Sequence, residues 1–276
     1  MFKVDLHSHT TCSDGQLTPA ELIERATARN ISLFAITDHD TVEACTIAAQ
    51  YITDNQLDIR LVSGVEISSA WENKEIHIVG LNLDCEASEL TTLLSGQAER
   101  RAERAQRMSD KLERVGLKQG FDKLAAGMNP GAITRTHFAR LMVDEGLVPS
   151  MNKAFDKFLA KGNIGFVRTE WPDYQSVIAT IHQAGGKAVL AHPAKYKMGN
   201  KHLRRLLADF KQAGGDAMEI ANSQQSPAER SFLGQLSLEH NLTVSVGSDF
   251  HFPSPWTELG KNLIIADRYS PVWDTF

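Results

Sequence analysis

Short apolar, often β-branched runs alternate along this chain with longer stretches of helical period. The runs predict strands at 2–6 (FKVDL), 32–37 (SLFAIT), 59–67 (IRLVSGVEI), 76–83 (IHIVGLNL), 187–191 (KAVLA), 216–220 (DAMEI), 243–247 (TVSVG) and 263–266 (LIIA). Between them the pattern predicts helices, among them 18–28 and 41–54 and one opened by Ser226 and Pro227. The first helix start is the best marked: Thr18 can cap it, Pro19 suits its first turn, and Glu21 stands where the return bond of a capping box belongs. Strands alternating with helices predict an α/β fold with a mostly parallel sheet, closed or nearly closed into a barrel. Residues 88–165 break the rhythm with several helical patterns and no convincing strand, which predicts a helical insertion in a single domain over 1–276.

Composition keeps this picture and narrows the partners. A length of 276 residues, 42% hydrophobic and 23% charged, suits one folded domain with a sizeable core. No apolar run approaches the ~18 residues of a membrane span, and MFKVDLHSHT lacks the pattern of a signal peptide, so a soluble, cytoplasmic protein is expected. Cys12, Cys45 and Cys85 are widely spaced without a C-x-x-C pair, which predicts reduced thiols. A net charge of −5 argues against coating duplex nucleic acid, yet bound divalent cations would make one cleft attractive to phosphate.

The imidazoles and carboxylates fall at the predicted strand ends. His7 and His9 follow the first strand, with Asp14 in the loop beyond, and Asp38, His39 and Asp40 follow the second. Glu66 lies late in the third strand, His77 in the fourth, His192 after KAVLA, and Asp249 and His251 after TVSVG. In α/β barrels the carboxyl ends of strands share one mouth, so these segments can converge. A lone His-x-His is more often incidental than metal-binding. Six histidines and three carboxylates at strand ends are hard to explain as packing, because carboxylates are rarely buried unless paired or ligated. Mixed nitrogen and oxygen ligands suit manganese, zinc or iron rather than calcium. His182, His202 and His240 fall inside predicted helices and are read as surface or partly buried side chains. Arg100, Arg104, Arg107, Lys111 and Arg114 recur three and four apart with acids interleaved, which predicts a solvated basic face, or a track for oligonucleotide phosphates if it faces the mouth. Cys12 is read as a small filler, and Trp71, Trp171 and Trp256 as core or loop anchors unless one stacks a base.

The motifs H-S-H-T-x-x-S-D-G (7–15), T-D-H-D (37–40), G-V-E (64–66), A-H-P (191–193) and G-S-D-F-H (247–251) resemble those of the polymerase and histidinol phosphatase (PHP) family, in order and over nearly the whole chain. That resemblance implies a distorted (β/α)7 barrel with three divalent metal ions, manganese first and zinc or iron as alternatives. It implies that His7, His9, Glu66 and Asp249 hold one ion, that Glu66 bridges to a second held by His77 and His192, and that Asp14, His39 and His251 hold the third. The insertion and the segment T-R-T-H-F-A-R (134–140) look most like the nucleoside 3′,5′-bisphosphate phosphatases and 5′→3′ exoribonucleases of the family, although Thr136 stands where the family often has proline. Arg135 and His137 are then the expected phosphate contacts: the first offers a planar fork, the second a bond or a proton.

The expected reaction is phosphate-ester hydrolysis of a nucleotide or short single-stranded oligonucleotide. A metal-bridging hydroxide attacks in line, and a metal lowers the water pKa from ~15.7 to ~7. The proton donor to the leaving group stays open among His137, Asp40 and a metal-bound water. Two alternatives remain: a small-metabolite phosphatase acting on a compound such as histidinol phosphate, and a catalytically silent PHP module.

Overall fold

The computed structural model describes residues 2–276 and opens with β1 (Val4–Asp5), α1 (Pro19–Ala28), β2 (Leu33–Ala35) and α2 (Glu43–Asp54). Thr18 caps α1 as its sequence predicts, with the hydroxyl accepting from the Glu21 amide at 3.3 Å and the Glu21 carboxylate accepting from the Thr18 amide at 2.8 Å. Then come β3 (Arg60–Val62), β4 (Gly64–Trp71), β5 (Lys74–Leu81), α3 (Ser88–Leu112), α4 (Gly120–Ala125), α5 (Arg135–Asp144) and α6 (Met151–Ala154). The chain closes with α7 (Tyr174–Gln183), β6 (Lys187–Leu190), α8 (Asn200–Gln212), β7 (Ala217–Ala221), α9 (Pro227–Glu239) and β8 (Thr243–Val246). These elements fall into two compact units, one of residues up to Leu93 with Pro172–Phe276, the other of Leu94–Trp171.

The first unit holds every strand among the described residues. One sheet has the order β1-β2-β3 and is parallel; the other has the order β4-β5-β6-β7-β8. Two parallel bridges, Ser8 with Phe250 and His39 with Glu66, tie the sheets at the ends of β1 and β2. Leu33 and Ala35 enter one buried cluster while Phe34 and Ile36 enter another, so both faces of β2 are covered. Double coverage is why its sequence reads as continuously apolar.

Three expectations need correction. The sheet is less parallel than predicted: β5 runs antiparallel to both β4 and β6. Trp71 pairs with Lys74, so only Glu72 and Asn73 make the turn, and a two-residue link can return a strand only antiparallel; Glu72 takes φ 53° to do it. The run 59–67 is two strands, because at Ser63 the chain passes from pairing with β2 to pairing with β5, and the Ser63 hydroxyl donates to Leu83 O at 2.6 Å. The run 263–266 is no strand. The edge beside β8 is taken by Ser270 and Pro271, with the Val244 amide donating to Ser270 O at 2.9 Å.

The second unit is helical, with its own core of Met108, Leu112, Leu117, Phe138, Met142, Leu159 and Val167. Its basic stripe is not a uniformly solvated face. Arg104 is buried, as is Arg101, and their guanidinium carbons lie 5.6 and 5.4 Å from the centre of the Trp171 ring. Cation–π contact and stacking let the indole shelter guanidinium groups that a charge pattern alone places in water. Lys111 donates to Phe166 O at 2.9 Å. Trp71 and Trp171 are core residues, whereas Trp256 is 74% exposed.

Candidate metal centre

The centre is built where β1, β2, β4, β5, β6 and β8 deliver polar side chains. Beyond β1 the backbone stays extended, held by the Leu6 amide on Val246 O, the Asp249 amide on His7 O and the His9 amide on Phe250 O. Alternation along that segment sends His7 and His9 to one side, and both are fully buried. The close approach requires glycine opposite: a Cβ on Gly247 would stand 2.1 Å from the Cβ of His7. His192 (φ 30°), Asp249 (φ 52°) and Asp40 (φ 54°) occupy the left-handed region. Such strain in residues other than glycine concentrates at functional sites.

Glu66, fully buried on β4, is the hub. Its Oε1 lies 2.8 Å from His77 Nδ1 and 2.7 Å from His192 Nε2. Its Oε2 faces His39 Nδ1 at 2.8 Å and the Nε2 atoms of His7 and His9 at 3.4 Å each, yet it receives no aligned hydrogen bond. His7 Nε2 and His9 Nε2 converge to 3.1 Å, and Asp249 Oδ1 stands 3.6 and 3.3 Å from them. On the other side, Asp14 Oδ1 is 3.2 Å from His251 Nε2 and 3.8 Å from His39 Nε2, and the rings of His9 and His251 stack with centres 4.1 Å apart.

The nine strand-end residues predicted from sequence are thus brought together. Within them, three overlapping sets place their ligand atoms within 4.8 Å of one another: His9, Asp14, His39 and His251; His7, His9 and Glu66; and His39, Glu66 and His77. The donor chemistry fits divalent cations. Lone pairs on nitrogen converge with carboxylate oxygens, a buried acceptor lacks an aligned donor, and the buried His192 Nδ1 has no hydrogen-bond partner.

Electrostatics point the same way. Burial alone would raise the carboxylic acids, but His39, His77 and His7 around Glu66, and Lys195 and His7 around Asp249, hold both well below the ordinary range. Burial together with His251 and His39 pushes His9 down to about 3, leaving a neutral ring ready to donate a lone pair. Burial opposes the charged form of His77, yet Glu66 outweighs it and brings the ring to about 10. This cluster of mutually dependent charges is what bound cations would replace.

Further residues shape the site, and of these Glu219 and Lys195 lie outside the motifs. Glu219, buried on β7, stands 2.6 Å from His7 Nδ1 and accepts from the His192 amide at 2.6 Å, so one carboxylate orients two candidate ligands. A carboxylate inside the apolar run DAMEI was the available signal. Asp38 accepts from the Thr10 amide at 2.7 Å and from the Thr10 and Ser13 hydroxyls at 2.5 Å each, fixing the loop that carries Asp14. Asp40 accepts from the Ser68 amide at 2.8 Å. Lys195, three residues after His192, pairs with Asp249 Oδ2. Arg135 and His137 belong to the second unit, at the start of α5. There Thr134 is the N-cap and its amide donates to His137 Nδ1 at 3.0 Å. His182, His202 and His240 lie on or at the ends of α7, α8 and α9, and His182 pairs with Asp216 at 2.8 Å.

Comparison with known proteins is consistent with this geometry. The chain is 48% identical over 272 residues to the 5′-3′ exoribonuclease Rnm of Escherichia coli, covering 98% of this chain and 92% of that protein. It is 38% identical over 275 residues to the 3′,5′-nucleoside bisphosphate phosphatase of Chromobacterium violaceum, covering 99% and 96%. Among solved structures, one described as an amidohydrolase from Chromobacterium violaceum, with bound sulfate and no metal, superposes with a TM-score of 0.92 at 38% identity, covering 99% of this chain and 95% of that one. The PHP domain model matches residues 5–214, and the chain belongs to the PHP domain family.

Proposed function

We propose that this chain is a metal-dependent phosphoesterase that removes phosphate from nucleoside 3′,5′-bisphosphates and degrades short 5′-phosphorylated RNA in the 5′→3′ direction. The observation that carries the reading is Glu66, a buried carboxylate whose two oxygens face five imidazoles in a chain so similar to an exoribonuclease and a bisphosphate phosphatase.

In this reading, which takes its division from the family resemblance, His7, His9, Glu66 and Asp249 would hold one ion, Glu66 with His77 and His192 a second, and Asp14, His39 and His251 a third, with manganese the first choice. Divalent ions supply Lewis acidity toward phosphoryl oxygens and bring the pKa of water toward ~7. The protein's own residues do the rest. Glu219 fixes the ring of His7 and the turn of His192, Asp38 fixes the Asp14 loop, and Asp40 anchors β4. Lys195 offers an ammonium beside Asp249 for a phosphate oxygen once the carboxylate is engaged. Arg135 and His137, at the start of α5, are carried as the phosphate contacts that the family resemblance implies, the first for its planar fork of donors and the second as a ring able to give a bond or a proton. The two sheets, with β3 and β4 counted as one interrupted strand, are read as arcs of a distorted (β/α)7 barrel, and the helical unit as an insertion in one PHP domain.

The test is turnover by full-length protein, stripped with chelator and reloaded with manganese, on adenosine 3′,5′-bisphosphate, 5′-phosphorylated oligoribonucleotides and histidinol phosphate. Metal-dependent release of phosphate and of nucleotides from the first two is expected. A preference for histidinol phosphate, or no turnover of any phosphoester with metal bound, would overturn the reading.

A further inference from the structure

The helical unit contains a cleft of about 580 Å³ lined by Arg100, Glu103, Arg104, Arg107, Arg168 and Thr169, with Glu170 at its side. Arg100, Arg104 and Arg107 lie three and four residues apart on α3, so they share one face and span roughly 10 Å along the helix axis. Across from them Arg168 and Thr169 lead into Trp171, whose ring packs against Arg101 and Arg104 and stiffens the floor. Four guanidinium groups against two carboxylates leave the lining cationic in a chain whose net charge is −5.

Two of these charges, those of Arg100 and Arg107, are not consumed internally. Arg100 and Arg107 make no hydrogen bond or ion pair among the described residues, and neither Glu103 nor Glu170 pairs with them. The Thr169 hydroxyl is buried in the cleft wall without a hydrogen-bond partner. Burying a hydroxyl without a partner costs free energy that an incoming anionic oxygen would recover. The lining has planar, multi-donor cations spread over a length greater than one phosphate, and the neighbouring indole is turned into the core. That is chemistry for a chain of phosphates rather than for a base or a single small anion.

We propose that this cleft binds the phosphodiester backbone of single-stranded RNA without reading its sequence. The inference rests on the exoribonuclease reading for the identity of the chain it holds.

The experiment is fluorescence anisotropy of a labelled single-stranded RNA with phosphorothioate linkages, which resist hydrolysis, titrated with metal-loaded full-length protein over a series of salt concentrations. The double variant Arg100→Ala/Arg107→Ala is expected to bind more weakly, with the slope of log K against log salt flatter by about 0.7 for each lost contact. Glu103→Gln/Glu170→Gln is expected to bind more tightly, a gain that misfolding cannot imitate. If both double variants bind with the wild-type affinity and slope, the inference fails. It fails also if affinity is independent of RNA length and millimolar inorganic phosphate displaces the RNA, because the cleft is then a single-anion pocket. Turnover of adenosine 3′,5′-bisphosphate and 5′-phosphorylated RNA by the wild-type protein is read separately: its absence removes the proposed function whatever the anisotropy shows, and its presence with unaltered variants removes only the cleft.

Discussion

At the scale of single residues, the most informative positions are buried carboxylates that differ in what they face. Glu219 touches no substrate atom in the proposed reaction, yet it orients His7 and the turn at His192. Glu219→Gln keeps the shape and removes the charge, so metal affinity is expected to fall by about 10–100-fold, with activity recovering at saturating metal. Calorimetric metal titration checks this, and an affinity equal to wild type would contradict the orienting role. Glu66→Gln is expected to lose more, because Glu66 is itself the shared ligand, and added metal should not restore turnover. Asp5 behaves differently. Burial raises its pKa from 3.8 to about 6 against the opposing hydrogen bonds from the Ser248 and Gly260 amides. The folded chain therefore holds the Asp5 proton more tightly than the unfolded chain, so this group's contribution to stability falls as pH rises through the window from about 4 to 6. A difference of that size between folded and unfolded chain corresponds to roughly 3 kcal/mol. In metal-free protein, the stability of Asp5→Asn relative to wild type should improve from about pH 4 to about pH 6 and level off above that in chemical denaturation, and a flat difference across that window would show that Asp5 does not titrate there.

At the scale of elements, the helix starts were the most legible features and the sheet edges the least. Thr18 with Glu21, and Ser226 with Glu229, form capping boxes readable from four residues each, because the chemistry is local. Thr18→Ala should cost about 1 kcal/mol, measurable as a lowered midpoint of denaturation, and Ser226→Ala a similar amount. Strand direction depends on distant partners and was less accessible. The antiparallel β5 was hidden in the two-residue link Glu72-Asn73, which lacks the glycine that usually marks such a turn. The apolar run 263–266 looked like a strand, but Leu263 and Ile265 only pack against the core while Ser270 and Pro271 take the edge. The site was legible for a physical reason: histidines and acids at strand ends are costly to bury and stand out against apolar runs. Glu219 was not legible in this way, because it sits within such a run and acts through another residue.

At the scale of the whole molecule, each compact unit carries its own hydrophobic core, and this should be visible in how the chain opens. The helical unit buries Phe138 completely among Leu112, Leu117 and Met142, with Gly120 close beside the ring. The first unit buries a separate set on its strands, including Leu6, Leu33, Val79 and Val189. Truncating Phe138 to alanine removes a buried ring and leaves a cavity, at a cost of roughly 3–5 kcal/mol to whatever part of the chain is cooperative with it. Units with separate cores can open separately, since opening free energies follow contiguous cooperative blocks rather than the entire chain. Hydrogen exchange on Phe138→Ala should therefore show amides of α3 beyond Leu94, α4 and α5 losing protection while those of β4 to β8 keep theirs. Val189→Ala, in the other core, should show the reverse. Equal loss of protection in both units for either variant would mean that the two cores melt as one block, because the destabilisation would then be shared by every amide whose exchange requires that opening.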